Sequence, residues 1–280
     1  MGRAERGPWA QELNDFVRAF SGAYIFGVPL LFTMEMWWIG EFGDRWKLLA
    51  FLGVGFVSNL ALNYAAGFKR GTTFRSTIVQ AVETMAVGIV AATATLLVLN
   101  RIRPGEPLDS VMGMIVIQAV PLSIGAAVAN EVFGRRGEKR REGNSEGPQL
   151  TKWQELFSDV GATAIGGIFV GFSIAPTEEI PMLAAGLDHL HLALLVGFSL
   201  LLSYGIVFES GFDGGQPEGP FQRPITETTL AYVVSLLVAV VSLFLFNQVE
   251  SGDPVRSVIE QTLVLGLPMT IGGAAGRLVI

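Results

Sequence analysis

Apolar residues fall in eight long blocks along this chain, near 19–39, 48–66, 77–99, 110–133, 159–180, 190–208, 229–247 and 258–279. Polar residues are swept into the gaps, which read GDRWK, FKRGTTFR, NRIRPGEPLD, GRRGEKRREGNSEGPQ, FDGGQPEGPFQRP and NQVESGDP. A bilayer core about 30 Å thick is crossed by about 20 apolar residues in helical form. The pattern therefore predicts an all-α integral membrane protein with eight transmembrane helices. Amphipathic segments at 8–16 and 149–157 are expected to lie along the membrane face, with Trp9, Leu13 and Phe16 toward lipid.

Composition strengthens that reading. Half of the residues are hydrophobic and only 16% are charged, with a mean hydropathy of +0.49; a soluble domain carries roughly 25% charged residues. Fourteen of the nineteen Lys and Arg residues fall on one side if the N-terminus is cytoplasmic. The five on the other side are Arg45, Lys47, Arg101, Arg103 and Arg256. The excess of basic residues in cytoplasmic loops then places both termini in the cytoplasm, and the expected site is a bacterial inner membrane. No early apolar run ends at a cleavage pattern of small residues, so no removable signal peptide is expected.

The second half of the chain repeats the first. Shifted by 144, residues 15–71 lie on 159–215 without a gap, matching Asp15 with Asp159, Gly22 with Gly166, Gly27 with Gly171, Asp44 with Asp188 and Gly53 with Gly197. Three further residues in the QPEGP loop change the shift to 147. Residues 74–133 then lie on 221–280, matching Asn100 with Asn247, Pro107 with Pro254 and Pro121 with Pro268. Four helices per half is an even number, so the halves run in the same direction, as a parallel repeat about an axis near the membrane normal. The organisation expected is 1–134 for the first repeat with its interfacial helix, 135–152 for a polar cytoplasmic linker, and 153–280 for the second repeat.

Duplication also marks the positions both copies kept. One is a Thr-x-Glu pair, Thr33/Glu35 and Thr177/Glu179, with Glu178 beside the second. It is expected at an outer mouth, followed by Trp37 and Trp38 as an interfacial aromatic belt; an acidic vestibule there would concentrate cations, and a plain headgroup contact is the alternative. The other is a mid-span proline followed by a hydroxyl and a glycine: Pro121, Ser123, Gly125 and Pro268, Thr270, Gly272. Proline removes a backbone donor and frees a carbonyl that hydrocarbon cannot satisfy. Such a helix break can line an ion path, or simply kink a helix whose glycines pack, as Gly272-x-x-x-Gly276 would. Glu83 falls two turns inside the third span, where an unpaired charge is costly. Asn59, Asn63 and Gln118 are further polar residues within spans, expected to bond between helices or to line the same path.

Asp188, His189 and His191 are weak candidates for a metal, because imidazoles two apart diverge on a helix. No cofactor is expected. Cysteine is absent, which removes thiolate and disulfide chemistry. Lys47, Lys69, Lys139 and Lys152 all fall in loops or at interfaces, so none serves a retinal Schiff base. No phosphate-binding glycine loop is present, and the formal charge of −6 does not suit nucleic acid.

The stretch APTEEIPML is similar to the paired-glutamate motif of the CAAX-processing intramembrane proteases. That family continues with an arginine three residues on and histidines on later helices. Here Ile180, Pro181, Met182 and Leu183 follow, and no histidine lies beyond His191. Across nearly its whole length, with FTMEMWW near the start and PTEEIPM in the middle, the chain resembles an uncharacterised bacterial integral-membrane family of unknown function. That resemblance implies a membrane fold and no site. The expectation is a non-enzymatic transporter or channel for a small cation or proton; the alternatives are a non-transporting receptor or scaffold, in which these features serve packing, and, ranked below it, a glutamate-type intramembrane hydrolase. A homo-oligomer in the lipid bilayer is expected as well, because the glycine-rich faces remain available for packing.

Overall fold

A computed structural model describes residues 8–68, 73–142, 152–209 and 224–277 of the chain. Every regular element among them is helical: α1 (Pro8–Leu31), α2 (Met34–Phe42), α3 (Arg45–Phe68), α4 (Phe74–Val98), α5 (Leu108–Glu142), α6 (Lys152–Gly171), α7 (Glu179–Gly186), α8 (His189–Tyr204), α9 (Pro224–Leu245) and α10 (Val255–Arg277). A π-helical turn, Gly205–Glu209, continues α8.

Local chemistry sets the helix ends. Asp44 Oδ1 accepts the Trp46 N–H at 2.8 Å ahead of α3, and Asp188 Oδ1 accepts the His191 N–H at 2.9 Å ahead of α8. Each satisfies a backbone donor that a helix start leaves open. Asn100 and Asn247 adopt positive φ, 52° and 54°, where α4 and α9 give way to the next loop. Asparagine tolerates that left-handed conformation better than most residues.

Six helices are long and apolar enough to cross a membrane: Arg45–Tyr64, Phe74–Val98, Leu108–Ala129, His189–Val207, Ile225–Leu245 and Val255–Arg277. The pair Glu12–Leu31 and Met34–Phe42, bent by 88°, makes a seventh candidate if it is taken as one broken span. The fifth expected span differs more. Its apolar helix Asp159–Gly171 is short, and the chain then turns irregularly through 172–178 before α7.

Three further expectations are corrected. No separate interfacial helix precedes the first span, because α1 is continuous from Pro8 to Leu31. The expected break at Pro121 and Pro268 is absent, since α5 and α10 run through both prolines as helix. The expected linker begins late, because α5 continues to Glu142; residues 143–151 lie outside the described residues, as do the side chains of 152–158 on the second expected amphipathic segment.

Two helices organise the packing. α5 is wrapped by α1, α2, α3 and α4, and α10 by α6, α7, α8 and α9. Small residues let the principal pairs approach closely. A Cβ on Gly22 would lie 2.0 Å from Ala129 Cβ, and one on Gly166 would lie 2.2 Å from the Gly272 carbonyl oxygen. The two bundles meet along a seam where α1 packs on α10 and on the π-helical turn, and α4 packs on α8.

Candidate functional site

The broken first span is closed by residues from both halves. Beyond Leu31 the chain turns sharply, which exposes carbonyls that the membrane interior cannot solvate. Thr33 Oγ1 donates to the Pro29 carbonyl at 3.1 Å, and Trp37 Nε1 donates to the Leu31 carbonyl at 3.0 Å. Trp37 is fully buried, which corrects its expected place in an interfacial belt; Trp38 is exposed. The Arg101 guanidinium lies over the Trp37 ring, 4.8 Å from its centre. Thr177 does in the second half what Thr33 does in the first, donating to the Ile174 carbonyl at 2.6 Å.

The two retained glutamates are not equivalent in space. Glu179 is buried and its Oε1 accepts the Met34 N–H at 3.2 Å, so a carboxylate from the second half caps the start of α2 in the first. The charge sits where the helix dipole favours it. Glu35 and Glu178 are exposed. The Glu179–Met34 contact brings Glu178 and Glu179 beside the start of α2, where Glu35 stands in the first turn.

Deeper in the bundle, Ser123 joins three helices. Asn59 Nδ2 on α3 donates to Ser123 Oγ at 2.8 Å, and Ser123 Oγ donates to the Val120 carbonyl at 2.7 Å. Gly88 on α4 opposes them, where a Cβ would meet Ser123 Cβ at 2.7 Å. Asn63 Nδ2 donates to the Asn59 carbonyl at 2.8 Å. Gln118 is fully buried one turn before Leu122, the residue that meets Gly27 of α1; it therefore lies on the face of α5 turned to α1 rather than on the Ser123 face.

In the second half Thr270 is buried on α10, and Ser203 is buried on α8. Ser235 on α9, at the position matching Gly88, directs its hydroxyl toward the Met269 carbonyl at 3.5 Å. Among the described residues, both amide atoms of Gln118, Asn59 Oδ1, Ser203 Oγ and Thr270 Oγ1 are buried without a hydrogen-bond partner. Buried polar groups are paired nearly everywhere in folded proteins, and the penalty for leaving one unpaired is about 1–3 kcal/mol. Sequence reasoning missed Ser203, although its match to Asn59 under the 144-residue shift was the available signal.

Two shallow grooves lie on the outside of the first half. One is apolar, lined by Val57, Leu60, Ala61, Tyr64 and Phe74. The other is lined by Thr73, Arg75, Ser76, Val79, Gln80 and Glu83. Glu83 is exposed on the outer face of α4, about 14 Å along the helix from its start by the rise per residue. Neither groove is lined by Ser123 or Thr270.

Asp188, His189 and His191 come together as a helix start. Asp188 Oδ1 accepts from the His191 backbone and lies 2.7 Å from His191 Nδ1, which holds the Asp188 carboxyl below the usual carboxylate range. His189 is exposed. Among the described residues no cluster of three or more His, Cys, Asp or Glu side chains is placed to hold a metal ion.

Helices of membrane-crossing length, sheathed in exposed Val, Leu, Ile and Phe and carrying bonded polar groups inside, define a multi-pass integral membrane protein. Residues 15–280 match the model of the family described as "Putative integral membrane protein (DUF2391)", and the chain belongs to that family. No curated protein and no solved structure matches it.

Proposed function

We propose that this protein moves a small cation or proton across the bacterial inner membrane, as a non-enzymatic transporter built from two parallel four-helix repeats with both termini in the cytoplasm. The repeat reading is supported by the order of the elements: α1 to α5 and α6 to α10 begin at positions that correspond under the two shifts to within three residues. It is also supported by the paired left-handed Asn100 and Asn247.

One observation carries the transport reading: polar atoms lie unpaired in the apolar interior of both halves, around Asn59 and Ser123 and around Ser203 and Thr270. Bonded polar groups can hold helices together, but an unpaired one only costs stability unless a polar solute or water meets it. Hydroxyl and amide oxygens are suitable substitutes for the water shell of a small cation. The enclosed geometry fits a closed state of a channel or carrier, so passage requires helices to part at the α3–α5 and α8–α10 contacts.

A second reading, a scaffold that transports nothing, is favoured by the full enclosure of Ser123 and Thr270. Thr270 separates the two. Its hydroxyl is buried without a partner, so valine suits the position. Purified protein in liposomes should pass cations, and Thr270→Val should suppress that flux while leaving the unfolding temperature equal or higher. Absence of flux from the wild-type protein would favour the scaffold, and equal flux from the variant would take Thr270 out of the path.

A further inference from the structure

The seam between the halves is made head to tail. From the first half it uses α1, the start of α2, α4 and the loop after α4; from the second it uses α7, α8, the π-helical turn and α10. Four contacts define it. Glu179 caps Met34, and Asn100 Nδ2 donates to the Gly186 carbonyl at 3.0 Å. Tyr24 meets the Phe198 ring edge-on at 5.6 Å, and Gly205 lies against Val17 and Ser21.

Each contact has an unused counterpart under the 144- and 147-residue shifts. Glu179 on Met34 corresponds to Glu35 on Glu178. Asn100 on Gly186 corresponds to Asn247 on Phe42. Tyr24 on Phe198 corresponds to Ile168 on Val54. Glu35, Glu178 and Asn247 are exposed, and Phe42, Val54 and Ile168 are 77%, 62% and 36% exposed. A two-fold relation between the halves would make both sets of contacts within one chain. Only one set is made: α4 packs on α8, whereas α3 is packed on α4 and α5, and α9 on α6, α8 and α10.

We propose that the unused faces bind each other between copies of this chain. The α2–α3 face of one copy would take the α6–α9 face of the next, repeating the internal seam. The inference rests on the repeat organisation and not on transport. Head-to-tail contacts either close into a ring or run on as a filament. In a bilayer every copy has the same orientation, so each step is a rotation about the membrane normal, and with a step that divides the full turn the assembly closes as a ring. Glu35 then caps α7 of the neighbouring copy at Glu178, as Glu179 caps α2 at home.

The chain contains no cysteine, so introduced thiols report cleanly. Gly186 has open space, its nearest neighbour for an added Cβ being the Arg103 guanidinium at 3.7 Å; the counterpart of this pair is Phe42 and Glu250. In membranes treated with a short bis-maleimide, Arg103→Cys with Gly186→Cys should cross-link only within the chain. Phe42→Cys with Glu250→Cys should give a ladder of copies ending in one largest band, and neither single variant should give more than monomer. Dimers from a single variant would mean a face-to-face contact and overturn the head-to-tail assembly. Monomer alone from the double variant, with the Arg103/Gly186 pair still linking, would overturn it too. Because cysteine at Phe42 could disturb its own region, the wild-type mass is measured in lipid nanodiscs in parallel: more than one copy is expected, and a monomer at every protein-to-lipid ratio refutes the proposal.

Discussion

Thr270→Val and Ser123→Ala occupy matching positions, yet their bonding predicts opposite effects on stability. Ser123 Oγ accepts from Asn59 Nδ2 and donates to the Val120 carbonyl. Alanine there leaves the buried Asn59 amide without a partner, at a cost of about 1–3 kcal/mol. Thr270 Oγ1 has no partner, and valine keeps the shape while removing a desolvated hydroxyl, so the change should be neutral or stabilising by up to about 1 kcal/mol. Unfolding followed by tryptophan fluorescence in detergent micelles should therefore show a lowered midpoint for Ser123→Ala and an unchanged or raised one for Thr270→Val. Cation flux into liposomes should fall for both, because the transport reading needs the oxygen and not its stability. A Thr270→Val variant as destabilised as Ser123→Ala would show that the hydroxyl is bonded after all. Full flux from a stable Thr270→Val variant would take Thr270 out of the path.

Glu179→Gln should lower the unfolding midpoint, since it removes the charge that caps α2, worth about 0.3–2 kcal/mol at a helix start; Glu35→Gln, exposed in the single chain, should leave that midpoint unchanged and weaken the assembly seen in nanodiscs. Gly166→Ala places a Cβ 2.2 Å from the Gly272 carbonyl oxygen, forces α6 away from α10, and should destabilise by about 1–3 kcal/mol. Gly197→Ala, with nothing within 4 Å of the added Cβ, is the control and should be neutral or better by thermal unfolding.

Hydropathy made the long helices legible, because length and apolar content are all that a crossing requires. It could not resolve the first and fifth blocks. Broken and straight spans have the same composition, and the break in the first depends on Trp37 reaching back to a carbonyl six residues earlier. The mid-span prolines misled for a related reason. Proline removes one hydrogen bond, but a long helix held by its remaining bonds and by close packing continues through it, as α5 and α10 do. Duplication located Ser123, Thr270 and both glutamates, since shared letters need no structure to be seen. It could not tell which of two matched residues is buried.

That last point concerns the seam. Glu35 and Glu179 occupy the same place in each half, and their surroundings differ only because the halves meet by one pair of faces instead of two. Within a single chain, Glu179 caps α2 from the other half, whereas Glu35 stands exposed in the first turn of its own helix and reaches across to nothing comparable. Phe42 and Asn247 are in the same position: their counterparts, Gly186 and Asn100, are bonded to each other across the seam, while they themselves stand exposed. An explanation confined to one chain needs separate reasons for the glutamate at 35, the left-handed asparagine at 247 and the aromatic edge at 42. A neighbouring copy docked as the halves dock supplies one reason for all three: it gives the carboxylate a helix start, the amide a carbonyl, and the apolar edge a surface.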